Sequence, residues 1–222
     1  MSVRLLMMAL WAAVGCAATA PAITAGGGPA APPPPEDATA YYPLVPGWKW
    51  AYQVETEKDR AQAGNNVLAI YAVLERIGDT AIVQAGEGRL SYVVLPAGIA
   101  RREGMNVGDF LLKTPVRPGT TWPLASGEAK VVAVGRTETV PGGTFPACAT
   151  IEESRTEPQR VVRTVYAAGV GPILVEMQVY DPTTGQFRTG TRAVLLGVTR
   201  PGEDPLGQAE GVSVPSGRGN RP

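Results

Sequence analysis

Histidine is absent from this 222-residue chain. That excludes every site built on imidazole: Ser-His-Asp and Cys-His nucleophiles, histidine metal ligands, and a switch titrating near neutral pH. Cysteine is nearly as scarce, at two residues, so no disulfide framework is expected. Net charge is missing too: 20 Lys and Arg balance 20 Asp and Glu. A nucleic-acid backbone needs concentrated positive charge, so nucleic acid is not an expected partner. Long hydrophobic runs are lacking. The apolar stretch Leu5–Val14 spans about ten residues, too short to cross about 30 Å of hydrocarbon as a helix. Aromatics are few, with four Trp, seven Tyr and three Phe. In their place stand 27 Gly and 21 Pro, and a length that suits one domain with tails.

The N-terminus carries the compartment signal. Arg4 precedes the apolar stretch, as in a secretory signal. The stretch ends in Ala13-Val14-Gly15-Cys16. This resembles the lipobox of bacterial lipoproteins, with Ala13 where Leu is commoner. The resemblance implies that residues 1–15 are a signal peptide, removed ahead of Cys16, and that Cys16 is lipidated and anchors the chain in a membrane. Two or three acyl chains hold a protein stably, where one binds marginally. In the Gram-negative sorting rule, Asp after the lipidated Cys retains a protein at the inner membrane. Here Ala17 follows, which implies the outer membrane, on its periplasmic side. The alternative readings are a cell-surface location, or a soluble secreted protein cleaved near Ala18 or Ala20.

Residues 16–40 combine Gly26-Gly27-Gly28 with Pro32–Pro35 and show no hydrophobic period, which reads as a tether. Residues 201–222 carry Gly, Pro, Ser and isolated charges and read as an unordered tail. Between them, residues 41–200 form the expected domain. Alternation is its main signal. Trp48, Trp50, Tyr52 and Val54 fall on one face of a strand, opposite Lys49, Ala51, Gln53 and Glu55. Further strands are expected over 66–77, 80–85, 89–95, 99–103, 110–113, 128–140, 145–154, 160–166, 173–180 and 187–198. Gly78-Asp79, Gly86-Glu87-Gly88, Pro141-Gly142-Gly143 and Asp181–Gly185 read as the turns between them. No stretch has helical period and caps beyond two turns. The expectation is an all-β fold, a single antiparallel curved sheet or open half-barrel, with a β-sandwich as the alternative.

Four segments look familiar together: Tyr41–Tyr52, Arg117–Leu124, Val140–Glu153 and Val165–Glu176. In order and spacing they resemble exported bacterial β-rich domains of unknown function, the TapB-like group. The resemblance brings no established activity and no catalytic residue to carry over.

Candidate chemistry is sparse. No phosphate-binding glycine motif is present. Cys148 lacks a disulfide partner once Cys16 is acylated, and no Lys adjoins it to activate the thiol, so an inert thiol is expected. Glu55 and Glu57 share a strand face, and Glu152 and Glu153 are adjacent. Carboxylate pairs suit glycosidic acid–base work or Ca²⁺ binding. Lys58, Arg60, Arg155 and Arg160 stand nearby, however, and solvated strand faces are the expected reading. Arg101-Arg102 is a basic pair that reads as an exposed strand end in preference to an anion site. The aromatics are the remaining candidates. Tyr41, Tyr42, Trp48, Trp50, Tyr52 and Trp122 either pack a core or line a site for an apolar or sugar ligand on a concave sheet, with Trp48, Trp50, Tyr52 and Trp122 the candidate lining.

No catalytic residue, metal ligand or cofactor is expected. The sequence points to a non-enzymatic envelope lipoprotein with a binding or structural role, its partners a membrane and an apolar ligand or another envelope protein. Cys16→Ser should abolish incorporation of labelled palmitate and move the chain from the membrane to the soluble fraction.

Overall fold

The computed structural model describes residues 33–57, 59 and 67–203. The signal segment, Cys16, most of the tether and the end of the tail lie outside the described residues. One helical turn, α1 (Ala38–Tyr41), precedes twelve strands. They are β1 (Lys49–Thr56), β2 (Val67–Ile77), β3 (Thr80–Ala85), β4 (Gly88–Leu95), β5 (Gly98–Glu103) and β6 (Asn106–Lys113). After these come β7 (Thr121–Leu124), β8 (Gly127–Val140), β9 (Gly143–Thr156), β10 (Gln159–Ala167), β11 (Gly171–Asp181) and β12 (Gln186–Thr199). The fold is all-β, as the alternation predicts. The strand the sequence pattern misses is β7, four residues interrupted by Pro123.

All strands join one antiparallel sheet in the order β6-β5-β4-β3-β2-β1-β12-β11-β10-β9-β8-β7. Two six-strand meanders therefore meet where β1 pairs β12, with Trp50 opposite Val198 and Val54 opposite Ala193. The edges of this sheet are β6 and β7, yet these two strands are consecutive in sequence and joined only by residues 114–120. Laid flat, twelve strands at about 4.8 Å spacing would separate the edges by roughly 50 Å. Seven linking residues reach at most about 28 Å. The sheet has to curl until its edges meet, and it forms a nearly closed barrel.

Register shifts supply the bending. They occur between Ala51 and Tyr52, Val73 and Glu75, Val165 and Tyr166, and Met177 and Gln178. Each shift leaves an extra residue on one strand, which locally bends and twists the sheet. The β8–β9 hairpin has three such shifts and a positive φ of 53° at Ala147. Its tip reaches β12, where the Gly142 amide donates to the Leu195 carbonyl at 2.8 Å. A Cβ on Gly142 would sit 2.9 Å from that oxygen, so only glycine permits the approach. The kink also explains Cys148. Strict alternation would bury every second residue, but Cys148, Ala149, Thr150 and Ile151 are all buried.

The closing seam has no ladder of its own; side chains bridge it. Trp122 on β7 donates its indole Nε1–H to the Phe110 carbonyl on β6 at 2.9 Å. Asp109 on β6 accepts the Ala125 amide at 2.8 Å and the Arg155 Nη1 at 2.8 Å. Arg155 also holds Glu153 at 2.8 Å, and the three side chains are between 9% and 15% exposed.

The domain begins before residue 41. The Glu36 carbonyl accepts the Val116 amide at 2.7 Å, and the Ala38 amide donates to Thr114 Oγ1 at 3.2 Å. Asp37 caps α1 through its side chain, accepting the Thr39 amide. Residues 33–40, which the composition assigns to the tether, are therefore part of the folded unit. The composition misleads because Pro and Ala serve equally in a tether and in a single-turn plug.

Removing one partner of a largely buried ion pair leaves the others unpaired, at about 3–5 kcal/mol. Asp109→Ala should cost stability at the lower end of that range, read as a fall in the urea midpoint. Leu90→Ala, at an exposed position, should leave the midpoint nearly unchanged.

Candidate functional site

A twelve-stranded barrel is too wide for its own side chains to fill, since eight strands already enclose just enough room for them. Here one end is filled by the N-terminal segment. It crosses the end that carries the β4–β5, β6–β7 and β10–β11 connections, bonding to Thr114, Val116 and Gly169. Tyr41, Tyr42 and Leu44 are buried beneath it, with Trp48, Trp50, Ile99, Leu112 and Trp122.

Two aromatic side chains hold the plug by directing their polar ends at carbonyls, whereas the buried Tyr41 hydroxyl has no partner among the described residues. Trp50 Nε1 donates to the Val170 carbonyl at 2.7 Å, and the Tyr52 hydroxyl donates to the Pro172 carbonyl at 2.7 Å. Gly171 lies between these acceptors with φ 116°, and a Cβ there would meet Trp50 Nε1 at 2.9 Å. The Gly169–Gly171 pair thus marks the close backbone approach that its spacing suggests. Tyr42 packs edge-on against Trp50 and Tyr92, with ring centroids at 5.6 and 5.7 Å. Trp48 stacks on Trp50 at 5.8 Å, and the Arg200 guanidinium lies over the Trp48 ring.

Beyond the plug, the barrel encloses a cavity of about 340 Å³. Its wall follows the inward parity of the strands. Tyr52 and Val54 come from β1, Glu153 and Arg155 from β9, and Arg160, Val162 and Thr164 from β10. Tyr42 and Tyr71 form the aromatic part, with Tyr92 and the exposed Arg101 facing them from β4 and β5. Leu90, Leu111, Pro172, Val175 and Ala193 complete the apolar surface.

Of the four aromatic residues the sequence singles out, Tyr52 is on the wall. Trp48, Trp50 and Trp122 are not among the lining residues; they are buried in the plug and at the seam. Their indole groups follow the plug segment and the seam carbonyl, which strand parity alone does not reveal. Cys16 lies outside the described residues. Sequence reasoning groups Tyr42 with the candidate aromatics and ranks an anion site at Arg101 behind an exposed strand end; it misses Tyr71, Tyr92 and Arg160. Alternation within Arg160-Val161-Val162-Arg163-Thr164-Val165-Tyr166 does carry a signal, since Arg160 shares parity with Tyr166 and Thr164.

Glu153 departs from expectation. The sequence places it on a solvated strand face, but it is 7% exposed inside the barrel. Its partner is Arg155 and not a second carboxylate, so the wall holds no carboxylate pair. Among the described residues, no group of three or more His, Cys, Asp or Glu could hold a metal ion. No helix among them is long and apolar enough to cross a membrane.

Burial governs the titration of the site. Desolvation raises the phenols of Tyr42 and Tyr52 well above their ordinary value, reinforced by neighbouring tyrosines. Tyr166 is raised by the same cause. Cys148 is buried, with its thiol donating to the Phe145 carbonyl at 3.2 Å, and burial pushes it up to about 11. A thiol held protonated is a poor nucleophile.

No protein-family model and no curated protein matches the chain. Among solved structures, the chain is similar to a Bacteroides fragilis protein described as exported and as having a YmcC-like fold. The two are 11% identical with a TM-score of 0.42, over 72% of this chain and 99% of that one. It is also similar to a Parabacteroides distasonis protein described as a lipoprotein. Identity there is 13% and the TM-score 0.36, over 73% of this chain and all of that one.

The raised phenols set a pH dependence. Below pH about 10, folded and unfolded states both keep these protons, and stability is independent of them. Above it, the unfolded state releases protons that the native state holds, so stability falls as pH rises. The buried phenols of Tyr42, Tyr52 and Tyr166 should therefore ionise only together with the loss of native circular dichroism, read as tyrosinate absorbance and ellipticity changing in parallel. In the native state at pH 8, Cys148 should not react with a disulfide reagent, and it should react fully in denaturant.

Proposed function

We propose that this chain is an envelope lipoprotein, anchored through Cys16 in the outer membrane on its periplasmic side, whose barrel binds a small apolar ligand without transforming it. The observation that carries the reading is the cavity. A barrel closed at its seam and plugged at one end leaves about 340 Å³ of space beside Tyr42, Tyr52, Tyr71 and Val54. That volume lies in the lower part of the range for small-molecule sites, roughly 300–1,000 Å³.

The non-catalytic part of the reading has two supports. The one carboxylate on the wall is engaged by Arg155, and acid–base work on a glycoside needs two. The buried thiol is raised rather than activated. The lipobox and the Ala17 that follows it support the anchor and its location.

The test is native mass spectrometry of residues 33–203, exported without the anchor to the periplasm of a Gram-negative host, before and after organic extraction. A discrete, extractable adduct is expected, weakened by Tyr52→Ala. A clean mass, together with no binding of an added apolar dye such as a naphthylamine probe, would sink the reading. Cross-linking in the native envelope would then address a protein partner instead.

A further inference from the structure

The cavity wall is not uniformly apolar. Three arginines reach it, Arg101, Arg155 and Arg160, against one carboxylate, Glu153. They are not equivalent. Both Nη atoms of Arg155 are engaged, by Asp109 and Glu153, and this arginine belongs to the seam. Arg101 and Arg160 make no ion pair among the described residues. Arg160 goes further: its Nε is buried and has no hydrogen-bond partner. A buried guanidinium donor left unsatisfied is costly, and such groups are rare in folded proteins. The orphan points to an acceptor that belongs to a ligand.

The charges around this pair leave a positive balance. Glu103 shares the face of Arg101 one step further along β5, where it is exposed to solvent. The neighbouring Arg102 is committed to Thr80 Oγ1 at 2.9 Å. Across the β9–β10 ladder, Arg160 faces Arg155, a second cation and not an acid. Arg160 also sits at the start of β10, three positions before Arg163 and far from the plug that meets Gly169 at the other end of that strand. The site thus combines an apolar, aromatic wall with two arginines that make no ion pair, and one of their donors, the Arg160 Nε, is buried and unspent.

We infer that the ligand is an anionic amphiphile with a single apolar chain, a carboxylate or a phosphate monoester, its acid head held by Arg101 and Arg160 and its chain laid against Tyr52, Tyr71 and Val54. Guanidinium groups suit both heads, because their planar donor fork matches the oxygens of either. A cavity of about 340 Å³ has room for one such chain. This inference rests on the binding role proposed above and specifies its chemistry.

The experiment uses the whole mature chain carrying Cys16→Ser and four twelve-carbon probes below their micelle concentrations. These are dodecanoate, dodecyl phosphate, dodecanol and dodecyltrimethylammonium, followed by titration calorimetry. Either anion, or both, should bind at least tenfold more tightly than dodecanol, and the ammonium probe should bind more weakly still. The better anion identifies the head. Arg160→Gln and, separately, Arg101→Gln should each weaken the anion about tenfold and leave dodecanol unchanged. Neither should lower the urea midpoint, since neither residue makes an ion pair. Equal binding of anion and alcohol, or a preference for the ammonium probe, would overturn the anionic assignment and leave the apolar-ligand reading standing. Failure of all four probes would overturn both.

Discussion

Seven residues decide the shape of this protein. The link over 114–120 joins the two edges of a twelve-stranded sheet, and it is far too short to reach across that sheet laid flat. Curling is therefore a condition of the connectivity and not an embellishment. It places a demand on β6 and β7. Their edge groups must be satisfied without a ladder between them, and Trp122, Asp109 and Arg155 meet that demand. Ionic groups are an expensive means of closure, because each charge loses water. Their return here is geometric: the Asp109–Arg155–Glu153 chain fixes one wall of the cavity as it shuts the barrel.

Closure creates a second problem, an interior wider than the strands' own side chains can fill. The N-terminal segment answers half of it. Its aromatic residues pack beneath the plug, and carbonyls in and beside the glycine-flanked turn before β11 receive the polar ends of Trp50 and Tyr52. The other half stays open and becomes the candidate site. The same aromatic cluster thus serves two purposes. Trp48, Trp50 and Trp122 make the floor, while Tyr42, Tyr52 and Tyr92 show their surface to the cavity.

The pattern of burial also explains why the site looks chemically quiet. The phenols are held neutral by desolvation, the thiol is protonated, and the wall carboxylate is matched by an arginine. Recognition of an apolar body needs little more than surface and shape. The arginines that escape this matching, Arg101 and Arg160, are the ones that give the cavity a chemical preference.

Strand identity and turn positions were legible in the sequence because they are local. Period-two alternation places Trp50, Tyr52 and Val54 on one face of β1, and glycine-rich turns separate the strands. The close approach at Gly169–Gly171 was legible for the same reason, since a glycine pair around one residue is a local backbone statement. Tertiary structure alone decided the rest. Whether β6 meets β7 depends on the whole order of the sheet. Which aromatic residues face the cavity depends on the plug that covers Trp48 and Trp50. Glu153 reads as a surface charge, because charge and alternation are silent on whether the far side of a strand faces solvent or the inside of a barrel. Sequence determines what each strand presents on its two faces; only the closed sheet determines what those faces meet.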